Sequence, residues 1–219
     1  MNRREQTTAR ILDGATAAFA KAGFAGTSME EIASAAGVSK LLLYRDFAGK
    51  RELYQAVLER TRIRIEKQVP PEASDAALRA LIGAAREDPD AFTLLFRHAA
   101  REPEFAGYAA SVTDRDVRAA EQLMRRIEPD PLMRRWAAET TVGITYQAII
   151  AWLEHGDPAR DEEFFRRLRA VNRAAAKPLP DDRPGGAAAG GTGSARPRHN
   201  PPPPAHPGEA AHPGEASHG

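Results

Sequence analysis

The stretch Thr27-Ser-Met-Glu-Glu-Ile-Ala-Ser-Ala-Ala-Gly-Val-Ser-Lys-Leu-Leu-Leu-Tyr-Arg-Asp-Phe-Ala-Gly-Lys50 decides the fold. Thr27 and Ser28 precede Glu30 and Glu31, which gives two overlapping capping-box readings for the start of a helix. Met29, Ile32, Ala33 and Ala36 follow at helical spacing on its inner side. Gly37 ends that helix where the backbone needs the left-handed conformation that side chains resist. Val38 fills the angle, and Ser39 caps a third short helix reaching about Phe47. Two short helices joined by a tight turn frame a helix-turn-helix, but they also frame any helical hairpin.

The third helix separates these two readings. Leu43 and Phe47 lie four residues apart and pack inward together, whereas Leu41 sits about 200° away from Leu43 on a helical wheel. Leu41 therefore shares the outer face with Lys40, Tyr44 and Arg45. An outward leucine among polar residues does little for a core. In a major groove it meets thymine methyls, while Lys and Tyr reach base edges or phosphates. Lys50 adds a cation near the N-terminus of the next helix, opposed by the helix dipole unless an anion such as a DNA phosphate binds there. A solvated lysine is the plain alternative.

Working outward, helix 1 spans about Arg4 to Ala22, with Ile11, Ala15, Ala18, Phe19 and Ala22 on one stripe. Gly23 supplies a left-handed C′ residue that Phe24 covers. Downstream, Lys50 to about Lys67 is a helix with Leu53, Val57, Leu58, Thr61 and Ile65 inward, ended by Pro70-Pro71. Asp88-Pro89 and Asp130-Pro131 each read as an Asp cap followed by proline at the first helical position. Glu102-Pro103 and Glu128-Pro129 mark stops. Trp136 to Leu153 is a long apolar helix, interrupted by Glu139, Thr140, Thr141, Thr145 and Gln147, hence a buried helix and not a membrane span. Asp161 is the expected cap of a last amphipathic helix carrying Phe164, Phe165, Leu168 and Val171. The chain is thus expected to be all-α, with about nine helices.

Composition narrows the function. The 219 residues carry 31 Lys+Arg against 30 Asp+Glu, so bulk charge does not point to nucleic acid and any DNA binding must be local. Residues 1–68 hold 12 Lys+Arg and 8 Asp+Glu, a local net of +4. The absence of cysteine excludes a disulfide framework, a thiolate zinc site and a cysteine nucleophile. Arg10 and Asp13 interrupt what would be the apolar part of a signal peptide. From Lys177 onward, 10 of the 17 prolines and 8 of the 17 glycines fall in 43 residues with almost no large apolar side chain, so 177–219 is expected to be disordered. That segment holds the run Pro201 to Pro204, two copies of Ala-His-Pro-Gly-Glu-Ala, and histidines 199, 206, 212 and 218, which read as inert rather than metal-binding.

Residues 10–54 resemble the DNA-binding domain of the TetR family. The resemblance is carried by a first helix ending Ala-Gly-Phe, then Thr27-Ser28, Ile32-Ala33, Ala36-Gly37-Val38-Ser39, Leu43-Tyr44, Phe47, Lys50 and Leu53-Tyr54. Leu41-Leu42 stand where the family usually has Gly-Thr or a similar small pair, so the family's Thr-to-phosphate contact is missing. Asp46, where the family often has Tyr, is expected to place a negative charge near the DNA edge.

The resemblance implies a helix-turn-helix domain in 1–50, a helical effector-binding and dimerisation domain in 51–176, and a Pro/Gly/Ala-rich tail in 177–219. It implies that Thr27 and Ser28 touch phosphate, that Ser39, Lys40, Leu41 and Tyr44 face bases or nearby phosphates, and that Arg45 and Lys50 face phosphates. It further implies a cytoplasmic homodimeric repressor, formed through Leu132–Leu153 and Asp161–Ala175, that leaves a palindromic double-stranded operator when a small effector binds. No cofactor, metal or membrane is expected. Phe92, Phe96, His98, Tyr108, Met124, Trp136, Tyr146 and Gln147 are candidate effector contacts, though residues of these kinds are more often core, and their mix suggests a hydrophobic or aromatic effector. His98 with Glu102 reads more simply as a surface pair. An effector-independent DNA binder or an activator is the alternative. An all-helical enzyme is a remote third reading, because no Glu-x-x-His pairs, nucleophile elbow or phosphate loop occur.

Overall fold

In a computed structural model the described residues are 2–177. The expected disorder, proline run, repeats and histidines of the tail lie outside them. Among the described residues the chain is all-helical, with nine α-helices: α1 (Arg3–Gly26), α2 (Met29–Ala36), α3 (Lys40–Asp46), α4 (Lys50–Gln68), α5 (Asp75–Glu87), α6 (Pro89–Thr93), α7 (Ala106–Met124), α8 (Pro131–His155) and α9 (Asp161–Ala175). No helix among them is long and apolar enough to cross a membrane.

The helix ends follow local chemistry. Ser28 caps α2, Ser39 caps α3, and Asp88 and Asp130 accept backbone N–H bonds just ahead of the prolines that open α6 and α8. Gly23 takes φ 72° near the end of α1, and Phe24 beyond it turns onto Tyr54 and Phe105 with ring centroids 5.1 and 5.0 Å apart. Two expectations need correction. Asp161 does not cap α9: its carboxylate accepts from Arg86 Nη2 at 2.7 Å and Trp152 Nε1 at 2.6 Å, so tertiary partners have taken it from the helix end. His98 and Glu102 form no ion pair among the described residues. After α6 the chain widens to a π-turn (Leu94–His98) and tightens to a 3₁₀ turn (Ala99–Arg101), which breaks the four-residue register that such a pair needs.

One apolar cluster runs from Ile11, Phe19 and Leu43 through Leu53, Tyr54 and Leu58 to Phe92, Leu95, Ile149 and Phe165. α4 lies inside it and touches α1 on one side and α5 and α6 on the other. Arg60 of α4 reinforces the α1 contact, donating to Asp13 Oδ1 at 2.8 Å and Thr16 Oγ1 at 3.3 Å. A second, smaller cluster of Val117, Ala120, Met124, Ala137 and Ala138 joins the end of α7 to the start of α8. α8 is not buried all round. Its Met133, Trp136 and Ile144 face solvent, as does Val171 of α9.

Candidate nucleic-acid interface and effector cleft

α2 is held at both ends, and with it the turn into α3. Ser28 Oγ accepts from Glu31 N at 3.2 Å, and Glu31 Oε2 accepts from Ser28 N at 2.7 Å, closing a reciprocal cap. Gly37 adopts φ 62°, and Val38 N donates to Ala33 O at 3.0 Å to finish α2. Arg10 of α1 then donates from Nη2 to the carbonyls of Ala36 and Gly37 at 3.0 and 2.9 Å, satisfying acceptors at a helix end. Gly14 lies directly against α2: a Cβ there would come within 2.6 Å of Ala36 N. Neither Arg10 nor Gly14 is visible as functional in the sequence, because each acts through a residue more than twenty positions away. The one signal for Gly14 in the sequence is its place in mid-helix, where a glycine costs stability unless something presses close.

With α2 fixed, the faces of α3 are fixed as well. Leu43 is fully buried and Phe47 nearly so, while Leu41 is 83% exposed and Tyr44 46% exposed. Lys40 and Arg45 share that outer face, and both carry partners. Lys40 Nζ is hydrogen-bonded to Glu30, and Arg45 grips Asp46 through Nε–Oδ1 at 2.9 Å and Nη2–Oδ2 at 3.2 Å. The Asp46 side chain is only 4% exposed, so the expected negative charge at the DNA edge is withdrawn under Arg45. The Arg45 hydrogen bonds hold its carboxyl below the usual range. Thr27 is a second correction. It is 3% exposed and its hydroxyl donates to the Gly23 and Ala18 carbonyls at 2.7 and 3.2 Å, so it secures the end of α1 and its side chain does not face a phosphate. Ser28 and Ser39 remain at the surface with their hydroxyls engaged in caps. Lys50, expected to need an anion, folds back over the Phe24 ring at 4.6 Å and donates to Ala25 O at 3.4 Å. The aromatic face and the carbonyl end of α1 offset the unfavourable dipole of α4.

The candidate effector contacts divide. Phe92, Phe96 and Tyr146 come together as a buried stack, with Phe96 and Tyr146 centroids 3.9 Å apart and nearly parallel. Tyr108 borders it and donates to Glu59 Oε2 at 2.7 Å; hydrogen bonds from Arg62 and Tyr108 depress the Glu59 pKa to about 2. The other four lie apart from the stack. Met124 belongs to the smaller cluster, Trp136 is 59% exposed, Gln147 is exposed, and His98 is half-buried in the π-turn with its pKa lowered by burial. Spacing along the chain does not distinguish the two groups, because it fixes the face of a residue on its own helix and not the helix that face meets. The open space is elsewhere: a cleft of about 470 Å³ between α7 and α8, lined by Asp114, Val117, Arg135, Glu139, Val142 and Tyr146 among others. Its rim is charged, which the sequence reading of an aromatic effector site did not anticipate.

Residues 11–57 match the model of the tetR family of bacterial regulatory proteins. A helix-turn-helix-type transcriptional repressor of Streptomyces coelicolor is 31% identical over 124 residues, half of this chain, and the match spans 65% of that repressor's length. The transcriptional activator FasR of Mycolicibacterium smegmatis is 29% identical over 166 residues, which are 71% of this chain and 76% of FasR. Among solved structures, a TetR-like transcriptional regulator from Rhodococcus sp. RHA1 superposes with a TM-score of 0.67 at 23% identity, covering 80% of this chain and 96% of that one. The capped turn and the outward α3 face thus lie in the segment that matches the tetR family of bacterial regulatory proteins, and the fold is that of TetR-like transcriptional regulators.

Proposed function

We propose that the chain is a cytoplasmic, homodimeric, effector-responsive repressor that reads a palindromic operator through α3. The observation that carries this reading is the solvent-facing Leu41, set beside Lys40, Tyr44 and Arg45 on a helix whose opposite face is buried. In a major groove Leu41 recognises thymine methyls, Tyr44 and Lys40 reach base edges or phosphates, and Ser28, Ser39, Arg45 and Lys50 serve the backbone. For Lys40 and Arg45 binding is an exchange of partners, from Glu30 and Asp46 to phosphate.

Residues 1–50 act as the reading domain and 51–176 as the effector and dimer domain. The outer faces of α8 and α9 support the dimer: Met133, Trp136, Ile144 and Val171 are exposed along helices whose other faces are packed. α4 supports the coupling, since it starts beside the reading domain at Lys50 and carries Glu59 and Arg62 beside Tyr108 of α7. Tenfold weaker operator binding in the effector-bound state requires about 1.4 kcal/mol of coupling.

The test is a mobility shift of the purified chain on the DNA upstream of its own gene. A specific shift that weakens steeply with salt supports the reading; a shallow salt slope with no preference over random DNA refutes it. Activation is the second reading, favoured by the similarity to FasR, which is named as an activator. In vitro transcription from the shifted promoter separates the two by sign.

A further inference from the structure

We propose that the cleft between α7 and α8 binds an organic cation with an apolar, aromatic body. This rests on the effector-responsive reading above and names the class of ligand. At about 470 Å³ the cleft has the size of a small-molecule site. Val117 and Val142 line it with apolar surface, and the Tyr146 ring closes its inner side, stacked from beneath on Phe96. Gly143 leaves open space, since a Cβ there would meet nothing within 4 Å.

The rim decides the sign of the ligand's charge. Arg135 donates to Asp114 at 3.2 Å, Glu121 at 3.4 Å and Glu139 at 2.6 Å, and Arg118 pairs with Asp114. Within the lining, the two carboxylates of Asp114 and Glu139 thus face the single guanidinium of Arg135, which is already engaged by both and by Glu121 just outside. An organic anion would have to strip Arg135 from its partners and lie beside the carboxylates left behind. A cation instead satisfies the excess negative charge without breaking any pair. The cleft also communicates inward. Tyr146 OH is hydrogen-bonded to Asp116, Asp116 pairs with Arg115, and Arg115 reaches Glu66 of α4 at 3.6 Å. A ligand that moves the Tyr146 ring therefore pulls on the helix that begins beside the DNA-reading domain.

The experiment uses tetraphenylphosphonium and tetraphenylborate, two probes of nearly the same shape and opposite charge, titrated calorimetrically into the full chain without DNA. The phosphonium should bind saturably and roughly tenfold or more tighter than the borate. Glu139→Gln, at an exposed site, should narrow that preference, and Gly143→Met should weaken the phosphonium by filling the cleft; cooperative thermal melts and the parent's helical circular dichroism establish that both variants fold. Equal or tighter borate binding, no phosphonium binding, or phosphonium binding that neither substitution alters would overturn the proposal. Adding operator DNA separates this proposal from the reading beneath it. Phosphonium bound at the cleft without DNA release supports the site and overturns effector response. DNA release by organic anions alone keeps effector response and overturns the cation site.

Discussion

Replacing Gly14 by alanine should destabilise this protein, although alanine is the better helix former. The new Cβ would lie 2.6 Å from the backbone nitrogen, 2.8 Å from Cα and 2.9 Å from Cβ of Ala36. Carbon atoms in contact rest near ~3.5–4.0 Å, so α1 and α2 would have to separate by about 1 Å. Overpacking of this kind costs about 1–3 kcal/mol, and here the obstacle is backbone that cannot rotate away. With backbone as the obstacle the cost falls in the upper part of that range, about 2–3 kcal/mol, and helix propensity returns about 1 kcal/mol, leaving a net loss of roughly 1–2 kcal/mol. For a chain of this length each kcal/mol shifts Tm by about 2–4 °C, so the midpoint should fall by roughly 2–8 °C. Gly83 supplies the control. It sits in α5, and a Cβ there would meet nothing within 4 Å, so Gly83→Ala should raise Tm by about 2–4 °C through propensity alone. Thermal melts followed by circular dichroism read both. If Gly14→Ala raised Tm alongside Gly83→Ala, the close crossing of α1 and α2 would be refuted.

Three further outcomes are expected. Leu41→Ala should relax base preference at one position of the operator, whereas Lys50→Ala should weaken all sequences alike and reduce the salt slope by about one; indistinguishable behaviour in a binding selection would contradict the face assignment. Ile144→Glu places a charge on the outer face of α8 and should yield a monomer in sedimentation equilibrium, while a persistent dimer would remove α8 from the interface. Glu59 has its pKa lowered from 4.5 to about 2 by hydrogen bonds from Arg62 and Tyr108, so the ionised form is favoured in the folded state. Its contribution to stability is therefore complete above pH 4.5 and lost as pH falls towards about 2. The Tm difference between the parent protein and Glu59→Gln should shrink across that window, and a constant difference would argue against the contribution.

The helix-turn-helix is legible from the amino-acid order alone, because its signals are local. Ser28 with Glu31, Gly37, and Ser39 act within one or two turns of where they stand, and the 100° periodicity sends Leu43 inward and Leu41 outward without help from the rest of the chain. The proline-marked starts at Asp88 and Asp130 were legible for the same reason. Whatever depends on partners far along the chain emerges only from packing. Asp161 looks like a cap, yet Arg86 and Trp152 claim it across the fold. Thr27 looks like a surface cap, yet the carbonyls at the end of α1 take its hydroxyl. Asp46 looks like a charge offered to DNA, yet it lies under Arg45. Phe96 and Tyr146, fifty positions apart, stack face to face, whereas Trp136, only ten residues from Tyr146, points to solvent. Periodicity tells a side chain which way to face along its own helix. Which helix it meets there depends on packing, and packing placed the open cleft between α7 and α8 with its unevenly charged rim.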